Sequence, residues 1–301
     1  MPMPLVSLAS RVVSALGGGA RRRERTVVDA SSGGGTPELG LGGSLSSMTS
    51  SKRRRSRSAT LSGGNNKMIH LVRHGRTEMN DYLRENHWAD PDFVDPMMID
   101  TRLTSEGEAQ AMGLRELARG LEPRPELVVA SPLRRALRTA ELAFGDGVID
   151  ASVPRVVCPL ARERVFHGSD IGRVASELRE EHPEWDLGEL GEEDAPWWYT
   201  PEGRDPFTTA ELEPVDVFER RMDAFRAWLD ARPEKSIAVV AHWGVCYSLT
   251  GDEFQNCELR SLDASDLNVG NGDFQKFDVF LQDNIFGRIG RALVSFKSKL
   301  F

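Results

Sequence analysis

Apolar and polar positions follow two kinds of pattern between residue 67 and about residue 285, one typical of strands and one typical of helices. Four short apolar runs have the length and composition of buried strands: residues 68–72, 127–130, 156–157 and 237–241. Other stretches have the apolar spacing of helices: residues 105–121, 133–144, 171–181, 215–231 and 244–249. The first of these helices opens with a capping-box pattern, Ser105 and Glu108. Strands alternating with helices predict a three-layer α/β/α fold with a mostly parallel central sheet.

Three further segments complete the predicted folded region. Residues 183–214 are rich in Pro, Gly, Trp and acidic side chains, which predicts a long irregular insertion. Residues 274–281 alternate like a late strand, and residues 286–301 have the spacing of a basic amphipathic helix. We expect that helix to pack against its own domain, with docking on a membrane surface as the alternative.

Residues 1–66 have a different composition, rich in Ser, Gly and Arg and nearly free of aromatic side chains. Such a segment cannot bury enough apolar surface to offset its conformational entropy, so we expect it to be disordered. Its first 23 residues contain no acidic side chain and fit an organelle transit peptide, whereas residues 52–57 fit a nuclear signal or a phosphorylatable tail. A solvated tail without any targeting role is the remaining alternative. A cytoplasmic or organellar location, in plastid or mitochondrion, is favoured over the nucleus.

Charge is divided unevenly along the chain. Residues 1–66 carry ten Arg or Lys against three acidic side chains, a net charge of +7, so the formal charge of −8 leaves −15 for the rest. A body this acidic disfavours nonspecific nucleic-acid binding, and no nucleic-acid partner is expected. No apolar run approaches the ~20 residues that span a bilayer. The three cysteines lack the spacing of a zinc site or a disulfide framework.

Polar side chains follow each of the four predicted strands. Arg73 and His74 end the first strand, Arg135 follows the second, Glu163 follows the third, and His242 ends the fourth. Because the carboxyl ends of parallel strands meet at one edge of a sheet, these side chains are expected to converge on one ligand site.

Two histidines, two arginines and a carboxylate suit phosphoryl transfer. The transferred group spreads negative charge over its oxygens, so catalysis is mostly positioning and electrostatic stabilisation. Arginine offers a planar fork that binds two phosphate oxygens at once. An imidazole that donates one N–H to a backbone carbonyl keeps its other nitrogen free as a nucleophile. Taken singly, each residue has a plainer interpretation, either a buried structural histidine or a partner in a surface ion pair.

Four motifs surround these positions in a fixed order over residues 68–250. They are Arg73-His74-Gly75-Arg76-Thr77-Glu78-Met79-Asn80, Leu103-Thr104-x-x-Gly107-x-x-Gln110-Ala111, Ser131-Pro132-Leu133-x-Arg135-Ala136-x-x-Thr139-Ala140 and Val239-Val240-Ala241-His242-x-Gly244. Together they resemble the signature of the histidine phosphatase superfamily. The resemblance covers most of the predicted folded region and implies a phosphoglycerate-mutase-like fold.

The resemblance also implies roles for individual residues. His74 would be the phosphorylated nucleophile and Glu163 the proton donor. Residues expected to clamp the phosphate or to line and brace its pocket are Arg73, Arg135, His242, Thr77 and Asn80. Further substrate contacts are expected from Arg76, Arg84, Arg164 and His167. The segment around Glu163 departs from the mutase form of the motif, and pairing of Glu163 with Arg162 or Arg164 on a solvated loop is the alternative.

The implied reaction is a two-step hydrolysis through phosphohistidine, without a metal or another cofactor because arginines supply the positive charge. A phosphatase is favoured over a phosphomutase because the chain lacks the longer match around the glycerate-binding segments. A non-catalytic phosphate-binding scaffold of the same fold is the other alternative. The expected substrate is a small phosphorylated metabolite or a phosphoprotein, selected by residues 81–100 and 164–214.

Overall fold

The computed structural model describes residues 67–88, 90, 92–267 and 274. Its strands are β1 (Met68–Arg73), β2 (Leu127–Ala130), β3 (Arg155–Val157), β4 (Ser236–Ala241) and β5 (Leu259–Asp263). They form one sheet in the order β3-β2-β4-β1-β5. Strands β1 to β4 run parallel, and β5 pairs antiparallel with β1 at the edge.

Helices cover both faces of this sheet. In the described ranges they are α1 (Glu78–Glu85), α2 (Ser105–Arg119), α3 (Arg134–Phe144), α4 (Ala175–Glu181), α5 (Val215–Ala231) and α6 (Trp243–Thr250). Successive strand side chains point to opposite faces, so Val129 and Val239 pack with α5 and α6, whereas Val128 and Val240 pack with α2, α3 and α4. The predicted three-layer fold with a mostly parallel sheet is confirmed.

Local predictions needed two corrections. Helix α2 is capped by Thr104, whose hydroxyl accepts a hydrogen bond from the Gly107 N–H at 3.0 Å, and not by a Ser105–Glu108 box. Glu108 instead pairs with Arg138 on α3. Residues 171–174 are not helical, because the apolar side chains in this stretch are buried in a small cluster with Trp198 and α4 begins only at Ala175. Helix α1 and strand β5 were not predicted.

Residues 183–214 are irregular apart from a 3₁₀ turn at Gly188–Leu190 and an isolated parallel bridge between Asp186 and Val156. The Trp197 indole N–H donates to the Arg173 carbonyl at 2.7 Å, and buried Trp198 donates to the Pro206 carbonyl at 2.8 Å. The first contact holds the insertion against the domain, and the second lies within the insertion itself.

Some sequence predictions concern residues beyond those described. The disordered segment at residues 1–66, the strand at 274–281 and the helix at 286–301 fall there, apart from Phe274. Among the helices that the structure describes, none combines the length and the apolar character that crossing a bilayer requires.

Candidate active site

His74 lies immediately after β1, at the carboxyl edge of the sheet, and is only 5 % exposed. Its Nδ1 lies 2.7 Å from the Gly75 carbonyl oxygen, so Nδ1–H donates and Nε2 keeps the free lone pair. Burial, followed by the charges of Arg135 and Arg73, holds the pKa of His74 well below its usual value. The imidazole is therefore neutral at pH 7, with its nucleophilic nitrogen available.

His242 follows β4, the parallel neighbour of β1, and its ring centroid lies 5.1 Å from that of His74. Arg135 Nε can only donate, and it lies 3.3 Å from His242 Nδ1. His242 Nε2 therefore carries the hydrogen and donates to Ser131 Oγ at 2.7 Å. Burial and the Arg135 charge lower the pKa of His242 well below its usual value, so this second imidazole is neutral too.

Arg135 projects from the first turn of α3 and is held by a carboxylate that the sequence did not reveal. Its Nη2 donates to Asp170 Oδ1 at 2.8 Å and its Nη1 donates to the Ser169 carbonyl at 2.6 Å. The side chains of Arg135 and Asp170 are 5 % and 6 % exposed. The second Asp170 oxygen accepts the N–H groups of Phe166 and His167, at 3.1 and 3.0 Å. Asp170 thus fixes the guanidinium and the loop after β3 together.

Arg73 approaches the same place from the end of β1. Its Nη1 donates to the Phe254 carbonyl at 2.7 Å, while its buried Nε has no hydrogen-bond partner among the described residues. Burial lowers the pKa of Arg73, and the neighbouring Glu163 charge opposes this. Because a buried N–H is normally paired, this unpaired donor beside two neutral imidazoles suits an incoming anion.

Glu163 follows β3 and the 3₁₀ turn Pro159–Ala161. Its Oε1 accepts the Arg164 N–H at 2.9 Å, and its Oε2 accepts the Gly244 N–H at 3.1 Å, in the first turn of α6. Burial and then the Asp170 charge raise the pKa of Glu163. Arg162, offered as an alternative partner, pairs with Glu213 instead. The position and the raised pKa suit a proton donor.

Thr77 and Asn80 brace the loop that carries His74. The Thr77 hydroxyl accepts the Asn80 N–H, and the Asn80 side-chain oxygen accepts the Thr77 N–H, both at 3.1 Å, so the pair caps α1. Asn256, which the sequence did not single out, donates through Nδ2 to the His74 carbonyl at 3.0 Å. A Cβ on Gly75 would lie 2.6 Å from a backbone oxygen, which explains the need for glycine in this motif.

Two of the four expected substrate contacts, both arginines, form ion pairs with acidic side chains. Arg76 forms ion pairs with Asp81 and Glu106. Arg84 is exposed on α1 and lies 3.4 Å from Asp81. Both guanidinium groups are therefore paired with carboxylates in this structure.

The other two expected contacts lie in the loop after β3. Arg164 is buried, and its Nε donates to the Glu213 carbonyl at 2.8 Å. His167 Nδ1 lies 3.4 Å from Asp95 Oδ2, the oxygen that also accepts the Gly168 N–H at 2.8 Å. Both side chains therefore hold loops together next to the site.

Fold and site together define an α/β protein with a buried cluster of histidine and arginine side chains at the carboxyl edge of its sheet. Within the described ranges, no group of three or more His, Cys, Asp or Glu side chains is arranged to hold a metal ion. The family model for the histidine phosphatase superfamily (branch 1) matches residues 69–274. The chain belongs to this superfamily.

Individual relatives carry both phosphatase and mutase names. The chain is 27 % identical over 250 residues to phosphoglycerate mutase-like protein 1 of Arabidopsis thaliana, a match that covers 69 % of this chain and 84 % of that protein. It is 30 % identical over 129 residues to a probable phosphatase of Schizosaccharomyces pombe, covering 42 % and 54 %. A putative alpha-ribazole-5'-P phosphatase from Escherichia coli superposes with a TM-score of 0.42 and 24 % identity, covering 65 % of this chain and 90 % of that one.

Proposed function

We propose that this protein is a phosphatase that hydrolyses a phosphate monoester through a phosphohistidine on His74. The observation that carries the proposal is the state of His74: a buried, neutral imidazole whose Nδ1 is bonded to a carbonyl and whose Nε2 is free. Around it stand His242, the unpaired Nε of Arg73, and Arg135. These groups match the charge that develops on a phosphoryl group in transfer.

In the first step, His74 Nε2 attacks phosphorus, and the bond between phosphorus and the ester oxygen breaks. The leaving oxygen takes a proton from Glu163, whose pKa is raised by burial and by the Asp170 charge. Arg73 and Arg135 balance the charge on the phosphoryl oxygens. The products are the phosphorylated histidine, the free alcohol and an ionised Glu163.

In the second step, water attacks the phosphorus of the phosphohistidine. Glu163, now a carboxylate, accepts the proton from this water, and the bond between phosphorus and Nε2 breaks. Inorganic phosphate leaves, while His74 returns to the neutral form and Glu163 to the protonated form. Each group thus ends the cycle as it began.

Hydrolysis is favoured over a mutase reaction by the state of the nearby cations. A phosphomutase that returns the phosphoryl group to a second position of its substrate needs further groups that hold the substrate's other anionic end. Arg76 and Arg84 pair with acidic side chains, and Arg164 is bound to the Glu213 carbonyl. This supports a single phosphate site, and a small phosphorylated metabolite or a phosphoprotein as substrate.

The proposal is tested by phosphate release from 4-nitrophenyl phosphate in the presence of a chelator, together with trapping of the phosphoenzyme. His74→Ala should abolish both turnover and the acid-labile phosphoenzyme. His182→Gln is the matched control, because this buried histidine pairs with Glu141 outside the site. A near-native rate for His74→Ala would refute the mechanism. Phosphate binding without turnover of any ester by the folded protein would favour a scaffold.

A further inference from the structure

Beneath the loop that carries Glu163 lies a buried ionic cluster, formed by Glu213, Arg162 and Arg221. Glu213 is fully buried just before α5. Both of its oxygens accept from Arg162, each at 2.7 Å, and Oε2 also accepts from Arg221 Nη2 at 3.1 Å. Two cations sharing one buried carboxylate are expensive to desolvate, so packing alone is a poor reason for the arrangement.

Arg221 connects this cluster to the backbone of the acid-bearing loop. Its Nη1 donates to the carbonyls of Leu160 and Arg162, at 2.8 and 2.7 Å, and its Nη2 donates to the Glu163 carbonyl at 3.3 Å. The Arg221 side chain is 8 % exposed. One guanidinium therefore ties three of the four carbonyls of residues 160–163.

We propose that Arg221, fixed by Glu213, is a positioning residue that holds residues 160–163 and thereby aims the Glu163 carboxyl at the leaving oxygen. The inference rests on the proposed function, in which Glu163 is the proton donor. Backbone N–H groups hold the Glu163 carboxyl, while Arg221 holds the Glu163 carbonyl together with Arg162, whose Nη1 donates to the same oxygen at 3.2 Å. A misplacement of about 1 Å can lower a rate on the order of 100-fold.

The cluster keeps its charges at neutral pH. Burial lowers the pKa of Arg221 to about 10, and the Arg162 charge acts in the same direction. Although burial alone would raise it, the two guanidinium groups bring the pKa of Glu213 to about 2. The hold on the loop therefore persists across the pH range in which the enzyme would work.

A positioning role can be separated from a purely structural one by varying the leaving group. Protonation by Glu163 matters for a basic alkoxide, but a dinitrophenolate leaves readily without a proton. If Arg221 acts through Glu163, its loss lowers kcat/KM for an alkyl phosphate and largely spares an activated aryl phosphate. General damage to the site would lower both values alike.

The experiment compares Arg221→Met, Arg221→Lys and Arg220→Met in the full chain, with glycerol 2-phosphate and 2,4-dinitrophenyl phosphate as substrates. Arg221→Met leaves Arg162 and Glu213 as a neutral pair. We expect about tenfold or greater loss on the alkyl ester and only a small loss on the aryl ester. Arg221→Lys should show the same pattern more weakly. Arg220 is an exposed neighbour that pairs with Asp216, so Arg220→Met is the matched control. This variant should leave kcat/KM for both esters unchanged.

Combining variants shows whether Arg221 acts through Glu163. Glu163→Gln should show the same dependence on the leaving group, and adding Arg221→Met to it should cause no further loss on the alkyl ester. Equal losses on both esters, or additive losses in the double variant, would overturn the positioning role of Arg221. The proposed role of Glu163 would not be affected by either result. If Glu163→Gln itself shows no such dependence, the proposed proton donor fails and this inference fails with it. If Arg221→Met does not fold, Arg221→Lys decides by the same comparison.

Discussion

Replacing Gly244 with alanine tests the placement of the proton donor by adding a single methyl group. Gly244 lies in the first turn of α6, where its N–H donates to Glu163 Oε2. A Cβ at this position would overlap Glu163 Oε1 and lie 3.3 Å from Cδ. The carboxylate must retreat by about 1 Å to reach ordinary van der Waals separation. That retreat lengthens the bond to the Gly244 N–H and moves the proton away from the leaving oxygen.

The size of the effect follows from this displacement. Movement of a catalytic group by about 1 Å lowers a rate on the order of 100-fold, so kcat/KM of Gly244→Ala on an alkyl phosphate should fall by roughly that factor. Helix propensity alone would make alanine more stable than glycine by about 1 kcal/mol. We expect that gain to be cancelled by overpacking, which typically destabilises a buried site by about 1–3 kcal/mol.

The assay pairs steady-state hydrolysis with urea unfolding of the same preparations. Gly113→Ala is the matched control, because a Cβ on this residue of α2 would meet no atom within 4 Å. That control should keep native activity and unfold at a slightly higher urea concentration. Native kcat/KM in a folded Gly244→Ala variant would refute the view that Glu163 is held in place for proton transfer.

Three further predictions concern pH. His74 must be neutral to attack, and because its pKa is depressed, kcat/KM should stay level below about pH 6.5, the ordinary histidine value. The same depressed pKa values of His74 and His242 give stability that is complete above about pH 6.5 and lost as the pH falls through the folded values, which urea unfolding at several pH values measures. Asp170→Asn removes a charge that raises the pKa of Glu163, so the fall of kcat/KM at high pH should move to lower pH; an unchanged or upward-shifted limb would contradict the assignment.

The sequence sufficed for the part of the site that follows from topology. His74 and His242 come directly after parallel strands, and Arg135 lies in the first turn of the helix that follows β2, so strand order brings all three to one edge. The exact caps and helix starts were less predictable. Ile171 and Val174 have helical spacing, but their side chains fill a small cluster with Trp198, a tertiary contact that overrides the local pattern.

The supporting charges could not be located from sequence because their partners are distant along the chain. Glu213 lies at the end of an irregular insertion, about fifty residues from Arg162. No sequence pattern near either residue indicates that the two form an ion pair. Arg221 did leave a signal. It lies three residues after Phe218 and four before Phe225, on the apolar face of α5, where a charged side chain requires a buried partner.

The charges gathered around the site explain how an acidic body would accommodate the proposed phosphate ester. The two neutral imidazoles lie near seven charged side chains. Four are the arginines Arg73, Arg135, Arg162 and Arg221, and three are the carboxylates Glu163, Asp170 and Glu213. The net charge is +1 when Glu163 is ionised and +2 when it is protonated. Binding of a dianionic monoester beside Glu163 should raise the pKa of Glu163 further. The proposed substrate would thus favour the protonation state that the first chemical step requires.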